Sequence, residues 1–288
     1  MARAPLPVTV IVAAKNEAAN IARCLRSLAP AQKVYIVDSH SSDDTAAIAA
    51  REGAEVVQFE YRGGYPKKRQ WALGALPIGT AWIMVVDADE AVTDALWDEI
   101  GEVLRAEAGI NGYFATKEFH FMGRRLRFGG FSHSAMLLFR KGSARYENVI
   151  AEDASGLDME VHERVLVEGA TRHFAAPLIH EDFKGLDAYM DRHNRYATWE
   201  ARVRAAMLEG GGGADVVAPR LFGNVQERRR WLKNVAIRVP FEPLLWFAYH
   251  YVLRLGFLEG HRGLIASAIR AFYIGQVRAK MYEARLAR

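Results

Sequence analysis

The sequence of 288 residues contains one cysteine, Cys24, and this scarcity excludes several classes of protein. A single cysteine cannot form an intrachain disulfide or supply a cysteine-based zinc or iron–sulfur site, so we expect a reducing compartment and a packing role for Cys24. The sequence also lacks a Gly-x-Gly-x-x-Gly motif after its first predicted strand, and it lacks a Gly-Lys-Ser/Thr loop. These absences argue against a dinucleotide-binding enzyme and against a P-loop enzyme.

Long hydrophobic runs are also missing. The longest stretch without Asp, Glu, Lys or Arg covers residues 70–86 and includes Pro77 and Gly79. It is shorter than the roughly 20 apolar residues that a membrane-spanning helix needs. Residues 1–7 contain no apolar run of the kind found in signal peptides. We therefore predict neither a conventional transmembrane helix nor a cleaved leader.

Positive charge is concentrated at one end of the chain. The formal net charge is +4, but residues 219–288 contain 13 lysines and arginines against 4 acids. That segment carries +9, and residues 1–218 carry −5. An acidic body suits the binding of a divalent cation, whereas a basic end suits anionic partners.

The first hundred residues alternate between strand and helix patterns. Apolar, β-branched runs predict strands at 8–13, 34–37, 55–59 and 81–86. Because helical patterns separate these runs, we predict an α/β fold with a mostly parallel, Rossmann-like sheet flanked by helices. Ligands of such a sheet bind outside the carboxyl ends of the strands. Further strand patterns at 113–121, 135–140 and 165–168 predict the mixed half of the same sheet.

A glycine run divides the chain. A helical pattern over about 185–208 ends at four consecutive glycines, 210–213, which predict a hinge or loop. We therefore predict a main domain over 1–209, a linker over 210–218 and a basic, aromatic-rich helical region over 219–288.

The strongest local signal is Asp87-Ala-Asp89, which directly follows the apolar strand ending at Val86. Two carboxylates at the exposed end of a buried strand are costly unless a cation or hydrogen-bond donors neutralise them. Their oxygens suit Mg²⁺ or Mn²⁺ that bridges the phosphates of a nucleotide. The alternative is a strand-to-helix turn in which the aspartates cap backbone amides.

Carboxylates also follow the first two strands of the predicted sheet. Glu17 follows the first strand, and Asp38 ends the second. Such side chains can accept hydrogen bonds from ribose hydroxyls or from a base. Asp43 and Asp44, further along, are instead typical of the first turn of a helix. The sequence therefore predicts a nucleotide held by acids and a metal.

In their order and spacing, these motifs resemble family 2 glycosyltransferases of the GT-A fold over roughly residues 8–200. The segments that match are 8–21, 24–28, 36–45 and 82–90. The resemblance implies that Ala13, Glu17 and Asp38 line a uridine pocket, that Asp89 ligates Mg²⁺ or Mn²⁺, and that Asp87 contacts ribose or the metal. It also implies a basic residue near the donor, for which Lys67 and Arg69 are candidates. The alternative for the run 67–69 is a solvated helix face.

Later motifs are similar to the branch that includes lipopolysaccharide-core glucosyltransferases. They are Val161-His-Glu163, Leu178-Ile-His180 and the segment 194–200. Inverting transfer needs a carboxylate that accepts the acceptor proton. Glu163 is the candidate for this base, and Asp153 of Glu152-Asp153 is the alternative. His180 is a candidate further ligand of the metal or of the diphosphate, or alternatively a packing residue beside two apolar neighbours.

The C-terminal region combines aromatic and basic residues. Residues 239–253 are aromatic-rich and nearly uncharged, and Arg228-Arg-Arg-Trp231 lies just before them. This composition is typical of elements that lie in the headgroup layer of a membrane. The alternative is that the region packs on the main domain or on another subunit. Similarity of 255–260 to membrane-associated members of the branch favours the membrane.

The function expected from the residues and the resemblance is an inverting, metal-dependent glycosyltransferase. It would move a sugar from a nucleotide-sugar, expected to be a UDP-hexose, to a lipid-linked or lipopolysaccharide-type acceptor. We expect a peripheral protein on an anionic membrane surface, at the cytoplasmic side of the inner membrane. The alternatives are a nucleotidyltransferase, which would need a Gly-rich basic loop after the first strand, and a nucleic-acid-binding protein, which leaves the strand-end acids unexplained. We expect no nucleic-acid partner.

Overall fold

A computed structural model describes residues 4–106, 109–148, 164–208, 219–223 and 225–286 of the protein. Both base candidates, Glu163 and Asp153, lie outside the described residues, and so does the predicted linker 210–218.

Four parallel strands form the first half of the sheet, as the sequence predicts. They are β1 (Leu6–Ala14), β2 (Ala31–Asp38), β3 (Glu55–Gln58) and β4 (Trp82–Asp87), in the spatial order β3-β2-β1-β4. The helices of this half are α1 (Ile21–Ser27), α2 (Thr45–Arg51), α3 (Lys68–Ala75) and α4 (Asp94–Arg105). Apolar clusters cover both faces of the sheet, and Cys24 is fully buried in one of them, as predicted.

Mixed strand pairing extends the sheet beyond β4. Its strands are β5 (Glu90–Val92), β6 (Ile110–Phe121), β7 (Arg124–Arg125), β8 (His133–Arg140), β11 (Ala170–His173) and β12 (Leu178–His180). The order continues β4-β8-β6-β12-β5, with β8 antiparallel to both neighbours. The assignment of 165–168 to this sheet is wrong, because β10 (Val165–Val167) pairs with β9 (Ala144–Tyr146) in a separate two-stranded sheet.

Strand register places the predicted site at one edge. Ala14 is paired with Asp38 across β1 and β2, and Ala13 is paired with Asp87 across β1 and β4. On the other side, β12 runs antiparallel to β5, so that His180 is the partner of Glu90. Residues separated by up to 167 positions therefore meet at the carboxyl ends of the central strands.

The C-terminal region is helical and packs on the rest of the chain. The helix that precedes the region is α5 (Gly185–Leu208). The helices of the region itself are α6 (Val225–Ala236), α7 (Glu242–Ala248) and α8 (His261–Leu286), and a π-helical turn (Tyr249–Leu253) and a 3₁₀ turn (Gly256–Glu259) connect the last two. Tyr273, Ile274 and Val277 of α8 are buried against Ala197 and Ala201 of α5. Along α8, the region therefore packs on the main domain, which is one of the alternatives that the sequence left open. None of the described helices is both long and apolar enough to cross a bilayer.

Candidate active site

Asp87 lies at the end of β4 between two cations. Arg69 of α3 pairs with one carboxylate oxygen, and Lys117 of β6 donates to the other at 2.9 Å. Burial alone would raise the pKa of Asp87, but the charges of Lys117 and Arg69 outweigh it and hold the pKa well below its usual range. Asp87 is therefore a permanent anion, and its charge is already balanced by protein side chains.

Asp89 faces His180 of β12. The Asp89 Oδ2 atom is 3.3 Å from the His180 Nε2 atom. Burial opposes both charges, but their mutual attraction is stronger, so the pKa of Asp89 falls to about 2 and that of His180 rises to about 9. An ionised carboxylate and an imidazole thus point at each other beside the Asp87 cluster.

Glu90 and Lys117 lie behind the acidic turn; Glu90 belongs to the motif 87–90 that the sequence analysis singled out, but that analysis gave a role to neither residue. Glu90 is fully buried and accepts the backbone N–H of Asp87 at 2.9 Å, while its other oxygen pairs with Lys117. Burial raises the pKa of Glu90 to about 7, against the opposing charge of Lys117. The available signal was a lysine inside a predicted strand, but only long-range pairing shows which acids it neutralises.

Arg23 of α1 closes the far side of the acidic turn. Its guanidinium donates to the carbonyl oxygen of Asp89 at 2.9 Å and to that of Glu181 at 2.8 Å. These two bonds fix the backbone that positions Asp89 and His180. Arg23 is the third residue of this centre to which the sequence analysis gave no role.

The predicted nucleotide pocket is assembled from the tips of β1 and β2. Asp38 is buried and accepts hydrogen bonds from the Ser41 N–H at 3.0 Å and from the Gln58 amide at 3.1 Å. Glu17 is held by Lys184 at 2.5 Å and by the Asn20 amide at 2.8 Å. Burial raises the pKa of Glu17 despite Lys184. Both carboxylates are thus oriented by neighbours at the edge where Ala13 meets Asp87.

The basic run 67–69 is not a solvated helix face. Lys67 and Lys68 are only 3% and 6% exposed, and Lys68 donates to the carbonyl oxygen of Ala14 at 3.0 Å. The Lys67 ammonium lies 4.7 Å from the ring centre of Trp199 on α5, a cation–π arrangement. Together with Arg69, these residues bring positive charge to the carboxyl ends of β1 and β4.

The side chains at this edge offer a small set of ligands for a divalent metal. In the described part of the chain, no group of three or more His, Cys, Asp or Glu side chains forms a metal cage. Asp89 and His180 nevertheless offer one oxygen and one nitrogen ligand, and a metal that binds a nucleotide takes its remaining ligands from phosphates and water. Asp87, with both oxygens engaged by cations, is better placed to contact the donor than to ligate. The pair Asp89 and His180 therefore fits such a metal.

Replacing His180 with asparagine should remove an ion pair whose contribution to stability depends on pH. Because the pKa of His180 is raised from 6.5 to about 9 and that of Asp89 is lowered from 3.8 to about 2, the pair stabilises fully between pH 3.8 and 6.5, and its contribution disappears as the pH rises through 9. We expect His180→Asn to lower the free energy of unfolding by on the order of 2 kcal/mol near pH 6 and by much less near pH 9.5. Urea unfolding measures both values. His261→Asn, at an exposed histidine, is the control, and an equal loss at both pH values would contradict the pairing.

Fold and site together define an α/β protein with an acidic, cation-flanked centre at the carboxyl ends of its central strands. Residues 9–155 match the model of the glycosyl transferase family 2, and the chain belongs to this family. It is 26% identical over 284 residues to the lipopolysaccharide core biosynthesis glycosyltransferase LpsC of Rhizobium meliloti (strain 1021), which covers 96% of this chain and 93% of that protein. The protein is therefore a glycosyltransferase.

One further relative and one solved structure are similar to this chain. An uncharacterised glycosyltransferase of Mycobacterium tuberculosis (strain CDC 1551) is 38% identical over 82 residues, which is 28% of this chain and 36% of that protein. The solved structure of mannosyltransferase PcManGT from Pyrobaculum calidifontis, in complex with GDP-Man and Mn²⁺, superposes with a TM-score of 0.50 at 17% identity, covering 97% of this chain and 89% of that one. This likeness shows the fold, an α/β architecture consistent with GT-A.

Proposed function

We propose that this glycosyltransferase moves a hexose from a nucleoside diphosphate sugar, with UDP-hexose as the expected donor, to a lipid-linked or lipopolysaccharide-type acceptor with inversion at the anomeric carbon. The observation that carries the proposal is the meeting of Asp89 and His180, 3.3 Å apart, beside an Asp87 held between Arg69 and Lys117. The similarity to LpsC, which spans nearly the whole chain, supports the acceptor class.

The donor would bind along the edge formed by β1, β2 and β4. Asp38 and Glu17 would face the uridine next to the backbone of Ala13, and the free lone pairs of Asp87 would accept from ribose. Lys67 and Arg69 lie where the diphosphate would approach and supply positive charge toward it. Holding Asp87 between two cations prevents its charge from repelling the diphosphate.

Asp89 and His180 would hold Mg²⁺ or Mn²⁺ on the diphosphate. When bound, such a cation stabilises the negative charge that develops on the departing nucleoside diphosphate. Binding requires His180 to lose its proton. In the absence of a metal, the negative charge of Asp89 stabilises that proton on the imidazole. Arg23 fixes the Asp89 backbone throughout. The Mn²⁺ named with the similarly folded PcManGT is in keeping with this proposal.

The acceptor proton would be taken by Glu163 or by Asp153. We expect Glu163→Gln to retain donor binding and to lose turnover, because the amide cannot accept the proton. The matched variant Asp153→Asn should then keep activity. Nucleotide affinity from titration calorimetry and turnover from release of the nucleoside diphosphate separate the two effects. If only Asp153→Asn loses turnover, Asp153 is the base.

We place the protein at the cytoplasmic face of the inner membrane as a peripheral protein. Support comes from the +9 charge of residues 219–288 and from large apolar side chains that this region leaves exposed, such as Phe241 at 73% and Leu253 at 73%. A lipid-linked acceptor resides at such a surface, so location and substrate class agree.

A panel of UDP- and GDP-hexoses with Mg²⁺ or Mn²⁺ tests the proposed function. The expected result is metal-dependent binding and slow hydrolysis of one donor to free sugar and nucleoside diphosphate. A nucleotidyltransferase would instead consume a nucleoside triphosphate and release pyrophosphate. Release of pyrophosphate, or indifference to every sugar nucleotide, would refute the proposal.

A further inference from the structure

Two segments far apart in the sequence form one surface. The loop after β7 donates hydrogen bonds to the region between α7 and α8: the N–H groups of Arg127 and Phe128 donate to Glu259 at 2.6 and 2.8 Å. Gly129 donates to the carbonyl oxygen of Arg254 at 2.7 Å. The exposed side chains of residues 122–128 and 252–258, here called the docking surface, are thus held side by side.

The docking surface exposes large apolar side chains in strained positions. Met122 is 45% exposed and Leu255 is 43% exposed, and each has a positive φ, 52° and 60°. A non-glycine residue pays conformational free energy for this backbone geometry, which persists only where the surroundings impose it. Further exposed apolar residues of the surface are Phe128, Val252, Leu253, Phe257 and Leu258. The fold therefore maintains an apolar surface that water disfavours.

Every charge within the docking surface is positive. Arg124, Arg125, Arg127 and Arg254 are exposed, and the two segments contain no acid. Of the neighbouring acids, Glu118 pairs with Arg125 at 2.6 Å, whereas Glu259 is 6% exposed and accepts backbone N–H groups, so no acid among the described residues forms a salt bridge with the other three arginines. Apolar residues among arginines suit the boundary between anionic headgroups and acyl chains. A second copy of the same surface would instead bring like charges together, because a twofold interface is self-complementary.

A row of aromatic rings connects the docking surface to the candidate active site. Phe119 lies 6.0 Å from the His180 ring and 5.9 Å from the Phe131 ring, measured between centroids. Phe131 in turn stacks on His250 at 4.9 Å, and His250 lies at the start of the segment that carries Leu253. The candidate active site at Asp89 and His180 is therefore only a few side chains from the docking surface.

We propose that the docking surface enters the headgroup layer of an anionic bilayer and holds the active-site edge at the membrane from which the lipid-linked acceptor is taken. This inference rests on the proposed function for the identity of the acceptor and for the peripheral location, and it names the surface that makes the contact. Residues 122–128 of the main domain contribute to this surface as much as residues 252–258 of the C-terminal region do. The proposed contact is therefore limited to residues 122–128 and 252–258. It differs from a basic tail, residues 219–288, that would bind lipid along its whole length.

Vesicle sedimentation of the full chain tests the proposal. Vesicles of phosphatidylcholine with about 30% phosphatidylglycerol should bind the wild-type protein, and pure phosphatidylcholine should bind it weakly. Leu253→Asp and Arg127→Gln should each lower the partition coefficient by about tenfold. The controls are Leu286→Asp, at an equally exposed leucine at the other end of α8, and Arg285→Gln, and both should bind as the wild type does.

Two further readouts make each outcome decisive. Hydrolysis of the sugar nucleotide without vesicles should be unchanged in Leu253→Asp, so that failure of the proposed function, seen as no hydrolysis in any variant, is distinct from failure of docking. Equal binding of Leu253→Asp and wild type to anionic vesicles would overturn the proposal. A wild-type dimer in solution that Leu253→Asp converts to a monomer would also overturn it, because a second copy would then cover the surface.

Discussion

Replacing Asp89 with asparagine is expected to reduce hexose transfer by about a thousandfold while leaving the fold intact. The substitution removes the carboxylate that pairs with His180 at 3.3 Å. It also removes the negative charge that would hold a divalent cation on the donor diphosphate. Metal-dependent nucleotide binding, measured by calorimetry with and without Mn²⁺, should be lost together with turnover.

The matched control for this variant is Asp98→Asn, at an exposed aspartate of α4. It makes the same chemical change away from the sheet edge and should leave transfer and binding unchanged. Circular dichroism should show the same secondary structure in both variants. Undiminished metal-dependent nucleotide binding by Asp89→Asn would contradict the assignment of the metal to Asp89.

Replacing Arg204 with leucine is expected to cost about 4 kcal/mol of stability. Arg204 is 2% exposed on α5, and it donates to Glu200 at 2.9 Å and to Glu242 of α7 at 3.0 Å. The leucine would leave two buried carboxylates without their shared cation. Tyr273 of α8, which donates to Glu200 at 2.5 Å, would lose a partner fixed by that cation.

Urea unfolding of the full chain measures this loss as a lower midpoint. Arg202→Leu is the control, because Arg202 lies two residues away on the same helix and is exposed. It should change the free energy of unfolding by less than about 0.5 kcal/mol. A midpoint for Arg204→Leu equal to that of the control would contradict the view that this network joins α5, α7 and α8.

The same network explains why removal of residues 219–288 is a poor test of membrane binding. Such a deletion would expose Ala197 and Ala201 of α5 and leave Arg204 without Glu242. Loss of lipid binding could then follow from misfolding. Single substitutions on the docking surface avoid this difficulty.

The parallel half of the fold could be predicted because its signals are local. Each strand is a short apolar run, and each strand-end acid directly follows one, as Asp38 and Asp87 do. Once the sheet is parallel, register brings these ends to one edge, where Ala13 is paired with Asp87. The helix over 185–208 was equally readable from its period and its glycine stop, and its bounds are confirmed.

The parts that escaped prediction depend on long-range pairing. Nothing near Lys117 in the sequence indicates that it neutralises Asp87 and Glu90, which lie 30 and 27 residues away and on other strands. The partner of Val165–Val167 was misassigned because a short apolar strand does not specify which edge it joins. The docking surface could not be predicted either, because its two segments are joined by the hydrogen bond from the Arg127 N–H to Glu259, which lies 132 residues away.

The fate of the hexose tests the central claim most directly. Wild-type protein would be incubated with labelled UDP-hexose, Mn²⁺ and vesicles that contain lipopolysaccharide-type or lipid-linked acceptors, and the label in the lipid fraction would be measured. We expect metal-dependent transfer into that fraction, with the transferred sugar in the opposite anomeric configuration to the donor. Transfer with retained configuration, or no transfer from any nucleotide-hexose to any such acceptor, would contradict the account.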